Sequence, residues 1–110
     1  FHGCKKLKRI ISPIYVYDIK NKLYFDHTFS QCILLETALL YKLSASISFS
    51  DSPLLSLESL QYMITNAANT SPITVTVHAD VYAKIQDESQ ADWHALIEAA
   101  TAKQITFATA

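Results

Sequence analysis

The clearest pattern in the chain is an alternation of apolar and polar residues in three short segments of its second half, 46–49, 73–77 and 105–109. Alternation at period two is typical of strands with one buried face. Between these segments, apolar residues at helical spacing predict helices over 57–69 and 90–103 and a short helical turn over 79–85. Strands separated by helices pair in parallel through right-handed crossovers, so the pattern predicts an α/β fold.

The predicted helices carry apolar stripes that we expect to face a core. The first helix follows a turn at Asp51-Ser52-Pro53, and Ser56 is placed to cap its first turn. Its stripe is Leu57, Leu60, Ile64 and Ala67/Ala68, and that of the last helix is Trp93, Leu96, Ile97 and Ala100.

A repeat occupies the first half of the chain. Residues 1–10 and 29–38 both read F-x-x-C-x-x-L-x-x-apolar, so that Phe29 takes the place of Phe1 and Cys32 that of Cys4. The predicted strands centre on positions 47, 75 and 107. The first two centres are separated by the same number of residues as Phe1 and Phe29, and the last two by slightly more. Such a period predicts a solenoid, in which only neighbouring repeats cover each other's apolar side chains. Because cysteine is small and usually buried, we expect Cys4 and Cys32 to be buried thiols of adjacent repeats.

Composition sets broad limits on the function. Of 110 residues, half are apolar and 17% are charged, which indicates one folded domain. The net charge of -1 gives no reason to expect nucleic acid as a partner, and no apolar run is long enough to span a membrane. The basic cluster Lys5-Lys6-Leu7-Lys8-Arg9 is interpreted as a solvated repeat edge and not as a phosphate-binding patch, because no aromatic stacking platform accompanies it.

The sequence predicts no catalytic residue, no cofactor and no metal. A single glycine, Gly3, excludes a nucleophile elbow, a P-loop and a dinucleotide fingerprint. His94 has Glu98 at i+4 and Asp92 nearby, which does not complete a zinc site. A pair of His27 with Cys4 or Cys32 is the remaining nucleophile candidate, but repeat-equivalent cysteines indicate core packing.

Two further patterns have a structural and a functional interpretation. Asn69-Thr70-Ser71 matches a glycosylation sequon and is interpreted as the loop that ends a helix. The aromatic stretch Tyr15, Tyr17, Tyr24 and Phe25 indicates either packing between repeats or a binding edge.

The repeat units, Phe1, Cys4, Leu7, Ile10 and again Phe29, Cys32, Leu35, resemble the bacterial surface-antigen (BspA-like) class of leucine-rich repeat. The second half is similar to C-terminal repeats of leucine-rich proteins from gut anaerobes and their phages. The resemblance implies a leucine-rich-repeat solenoid with parallel strands and helices on one face, F-x-x-C repeats over 1–50 and C-terminal repeats with a cap over 51–110. The chain departs from the family pattern between Pro13 and Thr28, where aromatic residues replace the usual turn.

The resemblance also implies a function without catalysis. It indicates a secreted or cell-surface bacterial protein that mediates adhesion through protein or host-surface contacts. One alternative is a phage virion or tail-associated module for host attachment, and a more distant one is a small hydrolase. If Phe1 begins in mid-repeat, we expect Phe1, Leu7 and Ile10 to be partly uncovered and to favour self-association through residues 1–25.

The strand alternation names a candidate binding face. If the apolar residues of the three strands point towards the helices, the polar ones form a solvent-exposed strip on the other face. The members of this hydroxyl strip are Ser46, Ser48, Thr74, Thr76 and Thr106. They are either a partner-binding surface or simply a soluble strand face.

Overall fold

Parallel pairing joins all the strands that the structure, a computed structural model, describes within residues 3–15 and 27–109. In chain order the elements are β1 (Arg9–Tyr15), β2 (Thr37–Tyr41), β3 (Ile47–Phe49), α1 (Leu57–Thr65), β4 (Ile73–Val77), α2 (Ala79–Gln86), α3 (Ala91–Ala102) and β5 (Ile105–Thr109). One sheet consists of β1 and β2, and the other has the order β3-β4-β5. The predicted α/β class with parallel strands is therefore confirmed.

The spacing in the sequence reappears as the register of the strands. Ile10 lies opposite Ala38 and Ile47 lies opposite Val75, and both pairs have the same sequence separation as Phe1 and Phe29. Val75 lies opposite Phe107, which is the predicted longer step. Residues at equivalent positions of the pattern are thus neighbours across the strands.

A third unit of the repeat was missed because serine replaces the cysteine. Phe49, Ser52 and Leu55 read F-x-x-S-x-x-L, and this unit follows the second one more closely than the second follows the first. The rings of Phe29 and Phe49 stack with centroids 5.0 Å apart. The Ser52 hydroxyl is buried and donates to the Cys32 carbonyl at 2.8 Å. The predicted turn at 51–53 is confirmed, and it is also part of a stacked repeat unit.

The first sheet has no counterpart in the strand prediction. The Lys8 carbonyl accepts from the backbone N–H groups of Glu36 (2.7 Å) and Thr37 (3.2 Å), and these bonds align β2 with β1. The register shifts between Ile10 and Ile14, where the pairing of β1 with β2 is irregular. Neither strand alternates cleanly in sequence, which explains why the pattern gave no signal for them.

A buried hydroxyl group attaches α1 to β2. Ser59 lies in the first turn of α1, accepts from the Ala38 N–H at 3.0 Å and donates to the Glu36 carbonyl at 3.3 Å. The predicted N-cap is confirmed, since Ser56 Oγ accepts from the Ser59 N–H. The Ser56 N–H in turn donates to the Glu36 carbonyl at 2.8 Å.

The first helix ends at Thr65, before the predicted Asn69. Its C-terminal cap is Asn66, and the backbone there pairs with the two residues that follow β2: the Asn66 carbonyl accepts from the Lys42 N–H, and the Ala68 N–H donates to the Leu43 carbonyl. These tertiary hydrogen bonds replace the helical ones. Ala68 is consequently exposed and Ala67 half-buried, whereas Met63 completes the buried stripe.

The other helices lie within one residue of their predicted bounds. In the stripe of α3, Leu96 and Ala100 are buried and Trp93 and Ile97 are half-buried. The helix contacts β5, α2 and α1. Among the described residues, no helix is both long and apolar enough to cross a membrane.

The expectation for the two cysteines is only half correct. Both are present as thiols, and Cys32 is fully buried, but Cys4 is half-buried. Cys4 is less buried because its repeat unit belongs to β1, an edge strand. Among the described residues, this unit is covered on the side of β2. Leu7 and Ile10 are half-buried for the same reason. Phe1 and most of the predicted aromatic stretch lie outside the described residues.

Replacing Ser52 with alanine should lower the free energy of unfolding by about 1 kcal/mol, because the Cys32 carbonyl loses the Ser52 hydroxyl as a donor and keeps the Leu35 N–H at 3.3 Å. Ser52→Cys, which restores the residue of the other two units, should cost less, since the thiol is a weak donor of similar size. Urea denaturation measures both, with the exposed Ser71→Ala as the control. Equal stability of Ser52→Ala and the wild type would contradict the role of this bond.

A second prediction concerns the left-handed backbone that Gly3 and Gln31 share, with φ of 75° and 64° at repeat-equivalent positions. Glycine adopts this conformation without the steric cost that glutamine bears. We expect Gln31→Gly to raise the free energy of unfolding by about 0.5–1 kcal/mol. The same change at the helical Gln61 should lower it by about 1 kcal/mol. Destabilisation by Gln31→Gly in urea denaturation would reject this account.

Candidate binding face

The three-stranded sheet has one buried apolar side, as the alternation predicts. The inward residues are Ile47, Phe49, Ile73, Val75, Val77, Ile105 and Phe107, and all of them are buried. Side chains alternate along a strand, so the residues of the hydroxyl strip point to the other side. The strand register that defines the strip is therefore correct.

The five hydroxyl groups of the strip form two rows across the strands. In the first row Ser46 Oγ accepts from the Thr74 N–H at 2.9 Å, and Thr74 lies opposite Thr106. In the second row Ser48 lies opposite Thr76, which lies opposite Ala108. The second row thus loses its hydroxyl on β5, and the strip is widest at β3 and β4.

The strip is less exposed than expected. Ser46 and Thr106 at its margins are exposed, but Ser48, Thr74 and Thr76 are half-buried. The threonines belong to the central strand β4, which has a neighbour on each side. Ser48 turns towards its own strand end, where its hydroxyl donates to Ser50 Oγ at 3.1 Å and accepts from the Ser50 N–H.

A histidine that the sequence argument did not select lies at the end of β4. His78 caps α2, with Nδ1 accepting from the Asp80 N–H at 3.0 Å and lying 3.8 Å from the Asp80 carboxylate. Its side chain is 33% exposed. Phe49 pairs with Val77, so the residues that follow them, Ser50 and His78, correspond to each other in the same register. Ser50 and His78 therefore extend the hydroxyl strip by one further row. The repeat spacing itself was the signal that could have found it.

A small polar cleft adjoins the strip near the end of β3. It has a volume of about 30 Å³ and is lined by His27, Phe29, Ser30, Ser48, Ser50 and Asp51. A site of this size holds one or two water molecules and is far below the roughly 300 Å³ of a small-molecule pocket. The Asp51 carboxylate accepts from the Gln31 N–H at 2.8 Å, so it fixes the turn of the preceding repeat unit.

Of the residues considered for metal binding, His94 has a structural contact. The His94 ring nitrogen Nδ1 lies 3.0 Å from the Ile85 carbonyl and so connects α3 to the last turn of α2. Within the described ranges, no three His, Cys, Asp or Glu side chains are arranged to hold a metal ion.

The sequon asparagine also has a structural role. Its side-chain amide donates to the carbonyl groups of Ser71 at 3.0 Å and of Lys103 at 2.7 Å. Asn69 therefore joins the loop after α1 to the end of α3, and the nitrogen that a glycan would require is engaged in both bonds.

The two thiols differ in their surroundings and hence in reactivity. Burial raises the pKa of the Cys32 thiol, a change that the nearby Cys4 backbone partly offsets. The nucleophilic species of a cysteine is the thiolate, so a raised pKa and burial both slow the reaction of Cys32.

Comparison of the chain with protein-family models, with curated proteins and with solved structures finds no match in any of the three.

Because Cys4 is half-buried and Cys32 is fully buried, the two thiols should react in two separate phases. In native protein at pH 8, we expect a disulfide reagent to modify Cys4 at least tenfold faster than Cys32, with the slow phase accelerating as pH rises. Absorbance of the released thiolate measures both phases. Cys4→Ser should remove the fast phase and Cys32→Ser the slow one. A single phase for both thiols would contradict the difference in burial.

Proposed function

We propose that this chain is a non-catalytic binding module of the BspA-like leucine-rich-repeat type and that it contacts its partner through the hydroxyl strip. The observation that carries the proposal is that repeat-equivalent residues lie side by side. Phe29 stacks on Phe49, and the Ser52 hydroxyl donates a hydrogen bond to the Cys32 carbonyl. Residues with the same sequence separation as Phe1 and Phe29 pair across the strands. This supports a solenoid, in which a row of equivalent outward side chains forms a continuous surface.

The chemistry of the strip suits hydrogen bonding rather than charge pairing. None of its five residues is ionisable, and a hydroxyl group both donates and accepts. The Ser46 oxygen already accepts from the Thr74 N–H, which leaves the Ser46 hydroxyl hydrogen for another acceptor. A protein or host-surface ligand with a flat array of amide or hydroxyl groups fits such a face.

The last segment of the chain has the features of a cap in this proposal. An open solenoid end exposes apolar side chains, and α2 and α3 contact β5 as a covering layer. Lys84 Nζ lies 5.2 Å from the centre of the Trp93 ring. The lysine side chain thereby shields the half-buried indole at this end of the chain. We infer that the module belongs to a bacterial protein at the cell surface or outside the cell, in agreement with the resemblance of its repeats.

The proposal is tested by placing two positive charges in the centre of the strip. We expect the double variant Thr74→Lys/Thr76→Lys to lose at least tenfold in affinity in binding of the chain to arrays of immobilised extracellular proteins and glycans. The lysine stems can reach solvent from half-buried positions, so stability should fall by only about 1 kcal/mol.

The matched control for this experiment is Thr70→Lys/Ser71→Lys, which adds two charges at an exposed loop outside the strip. It should leave binding unchanged. Array binding that is identical for the strip variant and the wild type would reject the hydroxyl strip as the contact face. Loss of the folded state by circular dichroism would show instead that the strip is needed for folding.

A further inference from the structure

The three stacked repeat units contain the same tight turn. In each of them the backbone N–H of the conserved-position leucine donates to the carbonyl of the cysteine or serine three residues earlier: Leu7 to Cys4 at 3.1 Å, Leu35 to Cys32 at 3.3 Å and Leu55 to Ser52 at 3.4 Å. A hydrogen bond across three residues closes a β-turn, whose two central residues lie at its tip. Each unit therefore presents two side chains at the outer end of a turn.

The tips of the three turns form one continuous surface. The second turn lies between the other two, because the Ser30 carbonyl accepts from the Gly3 N–H at 2.8 Å and the Cys32 carbonyl accepts from Ser52. We call the six central residues the turn ridge, and they are Lys5, Lys6, Ile33, Leu34, Pro53 and Leu54. None of the six is buried.

Two of the three tips are apolar and open to solvent. The side chains of Ile33 and Leu54 are 49% and 51% exposed, although the next leucines of their units, Leu35 and Leu55, are fully buried. The central positions of tight turns are usually occupied by glycine, proline, asparagine, aspartate or serine. Exposed isoleucine and leucine at neighbouring tips thus contribute nothing to the core, and an exposed apolar patch of this kind marks a contact surface.

The remaining tip is cationic. Lys5 and Lys6 occupy it, and Lys8 and Arg9 follow in the same unit; all four are exposed, and within residues 3–15 and 27–109 none of them forms an ion pair. The second and third units contribute one carboxylate each near the ridge. Glu36 is half-buried, and the carboxylate of Asp51 is engaged with the Gln31 N–H. A partner of the ridge must therefore offer negative charge beside an apolar region.

Shape and charge together select the partner. The ridge consists of protruding turn tips, so a folded protein would need a matching apolar groove, and a soluble polyanion would leave Ile33 and Leu54 in water. The interface of an anionic bilayer offers phosphates to cations and acyl chains to apolar side chains without a fixed shape. We propose that the turn ridge binds the surface of an anionic lipid bilayer, with Ile33 and Leu54 inserted at the level of the headgroups and Lys5 and Lys6 on lipid phosphates. The ridge shares no residue with the hydroxyl strip, so this contact is additional to the proposed function.

The first test uses the whole chain and two kinds of vesicle, one of phosphatidylcholine alone and one with about one-third phosphatidylglycerol. Co-sedimentation should show binding to the anionic vesicles at least tenfold tighter than to the neutral ones, because the cations of the ridge add an electrostatic attraction. The difference should shrink at high salt.

Variants separate the two halves of the ridge. Lys5→Gln/Lys6→Gln should weaken binding to anionic vesicles at least tenfold, whereas Lys84→Gln/Lys103→Gln, which removes the same charge from α2 and the end of α3, should leave it unchanged. Ile33→Ser/Leu54→Ser should also weaken binding at least tenfold while the net charge stays constant. Leu54→Ser alone replaces the double variant if the latter does not fold by circular dichroism.

Fluorescence reports the insertion directly. The tryptophan introduced by Leu54→Trp should shift its emission to shorter wavelength when anionic vesicles are added, because the indole leaves water. The wild type provides the control, since its one tryptophan, Trp93, lies in α3 outside the ridge and should show no shift.

Equal binding to the two kinds of vesicle, an equal effect of the two lysine variants or no emission shift in Leu54→Trp would each overturn the proposal. Binding to dextran sulfate that is as tight as to anionic vesicles and insensitive to Ile33→Ser/Leu54→Ser would identify a soluble polyanion as the partner instead. A dimer in sedimentation without vesicles, abolished by Ile33→Ser/Leu54→Ser, would identify a second copy of the chain.

Discussion

The stacking of Phe29 on Phe49 is the contact on which the remaining arrangement depends. It fixes the distance between two consecutive repeat turns, and the positions three and six residues later follow in order: Ser52 against Cys32, and Leu55 after Leu35 in the same core. Phe49 is also the last residue of β3, opposite Val77. Its burial therefore determines which side of the three-stranded sheet faces the core, and with it the outward direction of Ser48 and Thr76.

Buried hydroxyl groups add hydrogen bonds with the backbone to the apolar contacts between the turns. In a stack of turns, many backbone groups lie between segments that are not regular strands, and each of them needs a partner. The Ser52 hydroxyl donates to the Cys32 carbonyl, and the Ser59 hydroxyl accepts from the Ala38 N–H and donates to the Glu36 carbonyl. Serine is small enough to occupy a repeat position and polar enough to satisfy these groups, which explains why the third unit replaces cysteine without losing its place in the core.

The second half of the fold could be predicted from sequence because each strand and helix there carries its own periodic signal. The segments 73–77 and 105–109 form strands with the predicted bounds, and the spacing between the predicted strand centres became the register. The first half could not, since β1 and β2 depend on backbone hydrogen bonds between turns, such as that from Glu36 to Lys8. For the same reason the predicted end of α1 was wrong: the competing bonds come from Lys42 and Leu43, which are distant in sequence. The hydroxyl strip was found by alternation, but the partial burial of Thr74 and Thr76 depends on which strand is central, and alternation does not specify that order.

The spacing of the repeat also has a consequence for how the chain folds. Every strand pair joins segments at a similar sequence separation, from Arg9 with Thr37 to Val75 with Phe107, so each pairing closes a loop of nearly the same length. Loop-closure entropy grows only with the logarithm of length, and the closure costs of the β3-β4 and β4-β5 pairings differ by about 0.1 kcal/mol. No pairing step is therefore favoured by its closure cost, and the order in which the turns assemble is set by the strength of their contacts. The Phe29–Phe49 contact joins residues closer in sequence than any strand pairing does, and both rings are fully buried. We therefore expect this contact to form early in folding.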